Sequence, residues 1–318
     1  MKTAIQHLYR PSHEGDGLLY VWFPSMHTRV DILLCSQKSE EELLSVAERI
    51  HEALSCLEKT ANYYDPASEL AVVNRTASVS PVVLSSQLYA MVDLCLEYHE
   101  KTSGCFDVTV HSENYNQDTI HSVCLSAEEQ SIFYRQPGIT INLSGFLKGY
   151  ALETIRDILH SCSIENALIN MGNSSVLALG NHPAGTGWKV NFGNQSETEK
   201  TGESQSILLY NECLTTSGNE SEGRRHIISP QNGNFVEGLR QIAVVTKNGA
   251  VGEILSTAPP VRNSVKRCLP VSALYLSITS LLVINRPHYF FFLAIKHVWN
   301  GLLTILFHLS VYFFYYFC

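Results

Sequence analysis

"INLSGFLKGYALETI", residues 141–155, joins an apolar run to a turn in which two glycines flank a lysine, and then becomes helical. This order is typical of an anion site, because glycine lets the backbone approach a ligand and a helix N-terminus offers unpaired N–H groups. The spacing matches neither a Walker loop nor a dinucleotide fingerprint. The stretch therefore predicts a strand, a turn and a helix through about His160, outside both of those nucleotide-binding classes.

The elements on either side occur in clusters, which favours an α+β fold over a doubly wound sheet. Residues 18–24 and 27–35 predict a hairpin with a proline turn, and residues 39–64 and 85–104 predict amphipathic helices, the second ended by Gly104. Further strands are predicted within residues 105–111, 166–180, 187–193 and 241–249.

Composition excludes some function classes. The chain of 318 residues has a net charge of −8, which argues against nucleic acid as a partner, since phosphate-backbone binding needs a basic face. Its nine cysteines form no C-x-x-C pair, so a zinc knuckle is not expected.

The character of the chain changes after Ala258. Residues 1–258 contain all 30 acidic residues, whereas residues 259–318 contain five basic residues and no acid. The runs at 269–284 and 298–318 are apolar and aromatic, and the second has the length of a bilayer span. Two interpretations stay open: a membrane hairpin, or an ending that is not native to the protein. We therefore divide the chain into an N-terminal segment 1–17, a domain 18–258 and a hydrophobic tail 259–318.

The N-terminus lacks the apolar region of a signal peptide and a lipidation cysteine. The expected location is cytoplasmic, or membrane-attached through residues 269–318.

Six short polar stretches lie between the predicted core elements. They are "YYDPASELAVVN" (63–74), "TSGCFDVTV" (102–110), "INLSGFLKGYA" (141–151), "INMGNSSVLALG" (169–180), "TTSGNESEGRRHIISPQNG" (215–233) and "GEILSTA" (252–258). In this order and spacing the chain resembles the FAD:protein FMN transferases of the ApbE family over residues of about 20 to 258. The resemblance implies a single T-fold-like flavin-transferase domain. It also implies a Mg²⁺-dependent transfer of FMN from FAD to a threonine or serine hydroxyl of an acceptor flavoprotein subunit, with release of AMP.

A metal site is predicted in "GEILSTA". Glu253 and Thr257 are four residues apart and share one face of a helix, where they offer two oxygens to a hard cation. The resemblance adds the carbonyl of Gly145 as a third ligand. The family has an aspartate where this chain has Glu253. The alternative is an exposed helix acid beside a capping residue.

The resemblance also implies a flavin site. Lys148 would place a charge on the ligand, Asn142 would contact the nucleotide, and His226 would act as acid/base or as a phosphate ligand. The walls of the site would be Met26, Tyr64, Cys105, Phe106, Asp107 and Ile228. For Met26, Phe106 and Ile228, plain core packing is the alternative, and Ser229 stands where the family has an aspartate. Two further functions stay open: an FAD-binding relative that no longer transfers, and a membrane protein whose soluble domain is a scaffold.

Overall fold

The computed structural model describes residues 5–11, 16–192, 205–218, 227–236, 241–258, 281–286 and 289–294. These residues form an α+β fold centred on an antiparallel sheet of seven strands. In chain order the strands of the described residues are β1 Gln6–Arg10, β2 Gly17–Ser25, β3 Thr28–Ser36, β4 Val82–Val83, β5 Val123–Ser126, β6 Ser131–Tyr134, β7 Asn166–Met171, β8 Ser175–Leu179, β9 Trp188–Phe192, β10 Gln205–Leu209, β11 Glu212–Gly218, β12 Gln241–Thr246, β13 Leu281–Arg286 and β14 Tyr289–Ala294.

The large sheet has the order β1-β2-β3-β7-β8-β11-β12. A small sheet has the order β4-β6-β5, and β9–β10 and β13–β14 form two separate hairpins. Because β1 pairs with β2 over Gln6–Arg10, the sheet includes part of the segment that precedes residue 18.

The helices are α1 Glu40–Ala61, α2 Glu69–Thr76, α3 Ser86–Lys101, α4 Leu147–Ser161 and α5 Gly249–Thr257, with a 3₁₀ helix at Thr119–Ser122. The predicted helix at 39–64 is confirmed, and a capping box between Ser39 and Glu42 fixes its start. The predicted helix at 85–104 is confirmed as α3, and Gly104 follows it with a φ of +77°.

The sheet has a core on each face. On one face, alternate residues of β2 and β3 share a core with α1, α3 and α4; those of β2 are Leu19, Val21 and Phe23. On the other face, Trp188 and Leu209 of the β9–β10 hairpin cover Val176, Leu214 and Val245. The helix α4 packs against both α1 and α5, so these three helices lie on the same side of the sheet.

Two predicted strands are wrong. Residues 105–111 form turns, because the Asp107 carboxylate accepts hydrogen bonds from Thr109 N–H (2.7 Å) and Thr109 Oγ1 (2.6 Å). Residues 141–143 lack strand pairing, because the side chain of Asn74 brackets Ile141: it accepts from Ile141 N–H at 2.9 Å and donates to Ile141 C=O at 2.8 Å. An amide side chain thus replaces a neighbouring strand.

Most of the hydrophobic tail lies outside the described residues, including the predicted span at 298–318. The part that is described forms the antiparallel hairpin β13–β14. Across the described ranges, no helix has both the length and the apolar character that a membrane span requires.

Candidate functional site

Two hairpin turns meet at one end of the sheet. Met26 and His27 turn β2 into β3 with φ of 51° and 56°, the left-handed conformation of a tight hairpin turn. Glu58 of α1 holds this turn, since its carboxylate accepts from Met26 N–H at 2.6 Å. The turn between β7 and β8 lies beside it, because Gly172 N–H donates to Arg29 C=O at 3.0 Å. Gly172 has φ of +63°, and a Cβ there would overlap Thr28, so this approach requires glycine.

Lys148 extends from the first turn of α4 to the β7–β8 turn. Its ammonium donates a hydrogen bond to the hydroxyl of Ser174. A lysine in the first turn of a helix opposes the helix dipole, which argues against a surface lysine with no partner. Lys148 therefore joins the predicted "KGYA" turn to a second polar stretch, "INMGNSSVLALG".

Glu253 is buried, with 4% of its surface exposed, so the alternative of an exposed helix acid is wrong. Its carboxylate accepts a hydrogen bond from the hydroxyl of Ser175, the first residue of β8. Burial raises the pKa of Glu253 to about 7, and the Lys148 charge and the Ser175 hydrogen bond oppose that rise. A carboxylate withdrawn from water in this way is typical of a functional site.

Thr257 lies one turn after Glu253 on α5 and contacts the turn before α4. Its Oγ1 donates to the carbonyl of Gly145 at 3.2 Å. The hydrogen bond places a hydroxyl oxygen beside a carbonyl oxygen, and a hard cation such as Mg²⁺ prefers oxygen ligands of these kinds. The three predicted metal ligands are the Glu253 carboxylate, the Thr257 hydroxyl and the Gly145 carbonyl, and all three are oxygen ligands. Among the described residues, no three His, Cys, Asp or Glu side chains cluster as a metal site.

Close packing of two glycines brings these groups together. A Cβ on Gly149 of α4 would overlap the carbonyl of Gly249 and would lie 2.6 Å from Cγ of Glu253. A Cβ on Gly249 would lie 2.9 Å from the carbonyl of Gly149. The helices α4 and α5 can therefore approach closely enough for Lys148 to act on Glu253.

Asp107 anchors the loop that follows α3. Beside its two bonds to Thr109, its Oδ2 lies 3.0 Å from the hydroxyl of Tyr115, which also lies 3.0 Å from the carbonyl of Pro230. The side chain of Asp107 is fully buried, and His99 Nδ1 lies 3.8 Å away. Its oxygens are thus already used within the protein, and Tyr115 ties this loop to the turn that contains Ile228.

Asn142 is buried, and its amide is oriented by its neighbours. Oδ1 accepts from Ser144 N–H at 2.9 Å, which leaves Nδ2 facing His111 Nδ1 at 3.5 Å. The ring of Tyr63 packs 5.8 Å from His111, between centroids.

The remaining wall residues differ in exposure. Tyr64 is 66% exposed, and its ring makes edge contacts with Tyr63 and His27. Met26 is half-buried against the core beside an open groove of about 800 Å³. Phe106 is buried in the core, Cys105 is buried and disulfide-bonded, and Ile228 is half-buried.

His226 lies outside the described residues. Ser229 does not break its turn, because its Oγ accepts from Gln231 N–H at 3.4 Å, as an aspartate there would.

The structure adds residues that sequence reasoning did not single out. Ser174 contacts Lys148, and Ser175 contacts Glu253. Glu58 holds the Met26 turn, and Tyr115 joins Asp107 to the turn at Pro230. Only the two serines carried a signal, since they follow the glycine turn of a quoted stretch.

Comparisons with known proteins agree on one family. The profile of the ApbE family matches residues 26–267. The FAD:protein FMN transferase of Chlamydia muridarum is 22% identical over 72% of this chain and 78% of its own length. The enzyme of that name from Klebsiella pneumoniae is also 22% identical, over 71% of this chain and 77% of its own length.

Solved structures share the fold. The flavin transferase ApbE from Vibrio cholerae superposes with a TM-score of 0.70 at 18% identity, and covers 92% of this chain and 97% of its own. The ApbE protein of Thermotoga maritima superposes with a TM-score of 0.69 at 20% identity, over 84% of this chain and 94% of its own.

Proposed function

Since this chain belongs to the ApbE family of flavin transferases, we propose that it transfers the FMN moiety of FAD to a threonine or serine hydroxyl of an acceptor flavoprotein subunit. The hydroxyl oxygen attacks the phosphorus on the FMN side of the pyrophosphate. The bond from that phosphorus to the bridging oxygen breaks, AMP leaves with that oxygen, and the hydroxyl proton passes to a base.

The observation that supports this proposal is the convergence of Lys148, Glu253 and the Thr257–Gly145 pair where α4 and α5 cross. Phosphoryl transfer depends mostly on positioning and charge neutralisation. Lys148, whose ammonium is positioned by its hydrogen bond to Ser174, would neutralise part of the pyrophosphate charge.

The oxygens of Glu253, Thr257 and Gly145 would hold Mg²⁺, which prefers oxygen ligands. The ion would supply Lewis acidity at the phosphate oxygens. Glutamate is one methylene longer than the aspartate that the family resemblance implies here. Glu253 fits because its side chain packs against Gly149 and Ser175 binds its carboxylate. The buried position limits water around the carboxylate, which strengthens its interaction with a cation.

The flavin would lie against Met26 and Tyr64, since Tyr64 presents an exposed ring able to stack on a flat ligand. The amide N–H₂ of Asn142 is directed toward His111 and would contact the nucleotide. Asp107 would stabilise the loop that follows α3 rather than bind the ligand. His226 would act as the base that accepts the hydroxyl proton, or it would bind a phosphate oxygen.

Release of AMP tests the proposal against the alternative of an FAD-holding protein. The full chain is incubated with FAD and Mg²⁺, with and without an acceptor domain that carries a target threonine. The proposal predicts AMP only when acceptor and Mg²⁺ are both present. FAD binding without AMP under every condition would favour the non-catalytic relative.

A further inference from the structure

The contacts between α4 and α5 follow an antiparallel order. Gly149 packs on Glu253, Glu153 contacts Gly249, and Arg156 contacts Lys247 just before α5 begins. The helix that carries Lys148 thus also holds the start of the helix that carries Glu253 and Thr257.

Glu153 binds the first residue of α5. Its Oε1 accepts from Gly249 N–H at 2.7 Å. The first four N–H groups of a helix have no intrahelical acceptor, and a carboxylate there also complements the helix dipole. This contact differs from the local cap, in which the Asn248 side chain accepts from Val251 N–H at 3.0 Å.

Arg156 completes the arrangement. Its Nε donates to Glu153 Oε2 at 3.2 Å, and its Nη2 donates to the carbonyl of Lys247 at 3.0 Å. The Arg156 and Glu153 side chains are only 14% and 22% exposed, so solvent screens this pair less than a surface pair. Nη2 also lies 3.1 Å from Sγ of the buried Cys213, which ties β11 to the same point.

We propose that Glu153 and Arg156 are positioning residues that set where α5 lies along α4, and thereby where Glu253 and Thr257 stand relative to Lys148 and Gly145. The effect on metal use rests on the proposed function, in which Glu253 and Thr257 bind Mg²⁺. A small shift of α5 would change the distance between Thr257 and Gly145. Binding of Mg²⁺ is sensitive to such a change, because this small cation requires near-ideal ligand geometry.

The first arm of the test is amide hydrogen exchange in the full chain without metal or FAD. Glu153→Ala is compared with Glu153→Gln, which keeps an oxygen for Gly249 N–H, and with Glu97→Ala. Glu97 pairs with Lys101 at 2.5 Å on α3 and serves as the matched control. We expect faster exchange over 249–258 in Glu153→Ala, partial recovery in Glu153→Gln and no change there in Glu97→Ala. Unchanged exchange over 249–258 in Glu153→Ala would overturn the proposal.

The second arm is the Mg²⁺ concentration that gives half-maximal AMP release. We expect it to rise about tenfold in Glu153→Ala, the scale for loss of an outer-shell partner, with a smaller change at saturating Mg²⁺. Faster exchange with an unchanged Mg²⁺ requirement would overturn the positioning role, as would an equal shift in Glu97→Ala. If the wild-type chain releases no AMP at any Mg²⁺ concentration, the proposed function fails, and the exchange arm alone decides whether Glu153 holds α5.

Discussion

The buried carboxylate of Glu253 accepts a hydrogen bond from the hydroxyl of Ser175, which joins the helix α5 to the first residue of the strand β8. Burying a carboxylate costs free energy unless it gains partners. The contact with Ser175 offsets part of this cost, and the part that remains can be measured as a loss of stability.

Replacing Glu253 separates stability from function. We expect Glu253→Gln to unfold at an equal or higher urea midpoint than the wild type, because it removes a buried charge while keeping the shape. The same variant should lose FMN transfer, since a neutral amide is a poor ligand for a hard cation. Glu253→Asp should retain part of the transfer, because it keeps a carboxylate at this position. Full transfer by Glu253→Gln would contradict the proposed role of Glu253 as a metal ligand.

The contribution of Glu253 to the stability of the metal-free protein should fall as the pH rises. Burial raises the pKa of Glu253 from 4.5 to about 7, so between these values the folded state binds more protons than the unfolded state. Stability from this group is therefore complete below about pH 4.5 and falls by roughly 3 kcal/mol by about pH 7. Urea unfolding of the wild type and of Glu253→Gln in the presence of EDTA measures it as a difference. A difference that stays constant from pH 4.5 to pH 7 would contradict the burial of an ionisable Glu253.

Gly149→Ala should damage the fold and the site together. The new Cβ would overlap the backbone carbonyl of Gly249, which cannot move without shifting α5. Overpacking of this kind typically costs about 1–3 kcal/mol. Gly185→Ala is the control, because no atom lies within 4 Å of a Cβ at that position. Equal urea midpoints for the two variants would refute the close contact between α4 and α5.

Lys148→Met should weaken FAD binding. A hydrogen bond to a charged group contributes roughly 1.5–3 kcal/mol, so we expect Kd to rise about 10- to 100-fold. Flavin fluorescence during titration of FAD into the full chain measures this change. Lys101→Met, which removes a lysine that is 48% exposed on α3, should leave Kd unchanged. The assignment of Lys148 to the ligand fails if both variants bind FAD as the wild type does.

The elements predicted correctly are those whose signals are local. The helix α1 combines a capping box with apolar residues at helical spacing, and its inward residues Leu43, Ile50, Leu54 and Leu57 are fully buried. The β2–β3 hairpin was also predicted, although its turn lies at Met26–His27, and Pro24 pairs with Arg29 inside the strands.

The failures have non-local or side-chain causes. Alternation at 105–111 predicted a strand, but Asp107 bonds to Thr109 and Tyr115 and folds the segment into turns. The extended run at Ile141 pairs with the side chain of Asn74, which is 67 positions away in sequence. No periodicity signals such a contact.

The candidate site was predictable in its residues more than in its geometry. Spacing placed Glu253 and Thr257 on one helical face, and the resemblance supplied Gly145 and Lys148. The burial of Glu253 and the contacts of Ser174 and Ser175 depend on strand order, which brings β8 beneath α5. The contact of Glu153 with Gly249 joins residues 96 positions apart, and no local sequence pattern predicts it.

Covalent attachment of flavin to an acceptor tests the central claim most directly. The full chain, FAD, Mg²⁺ and an acceptor domain with one target threonine are incubated, denatured and separated, and flavin fluorescence is read on the acceptor band. We predict fluorescence on the acceptor with the wild-type chain, and its loss in Glu253→Ala, in His226→Ala or when the target threonine is replaced by alanine. An acceptor that stays dark with the wild-type chain, although FAD binds, would contradict the account.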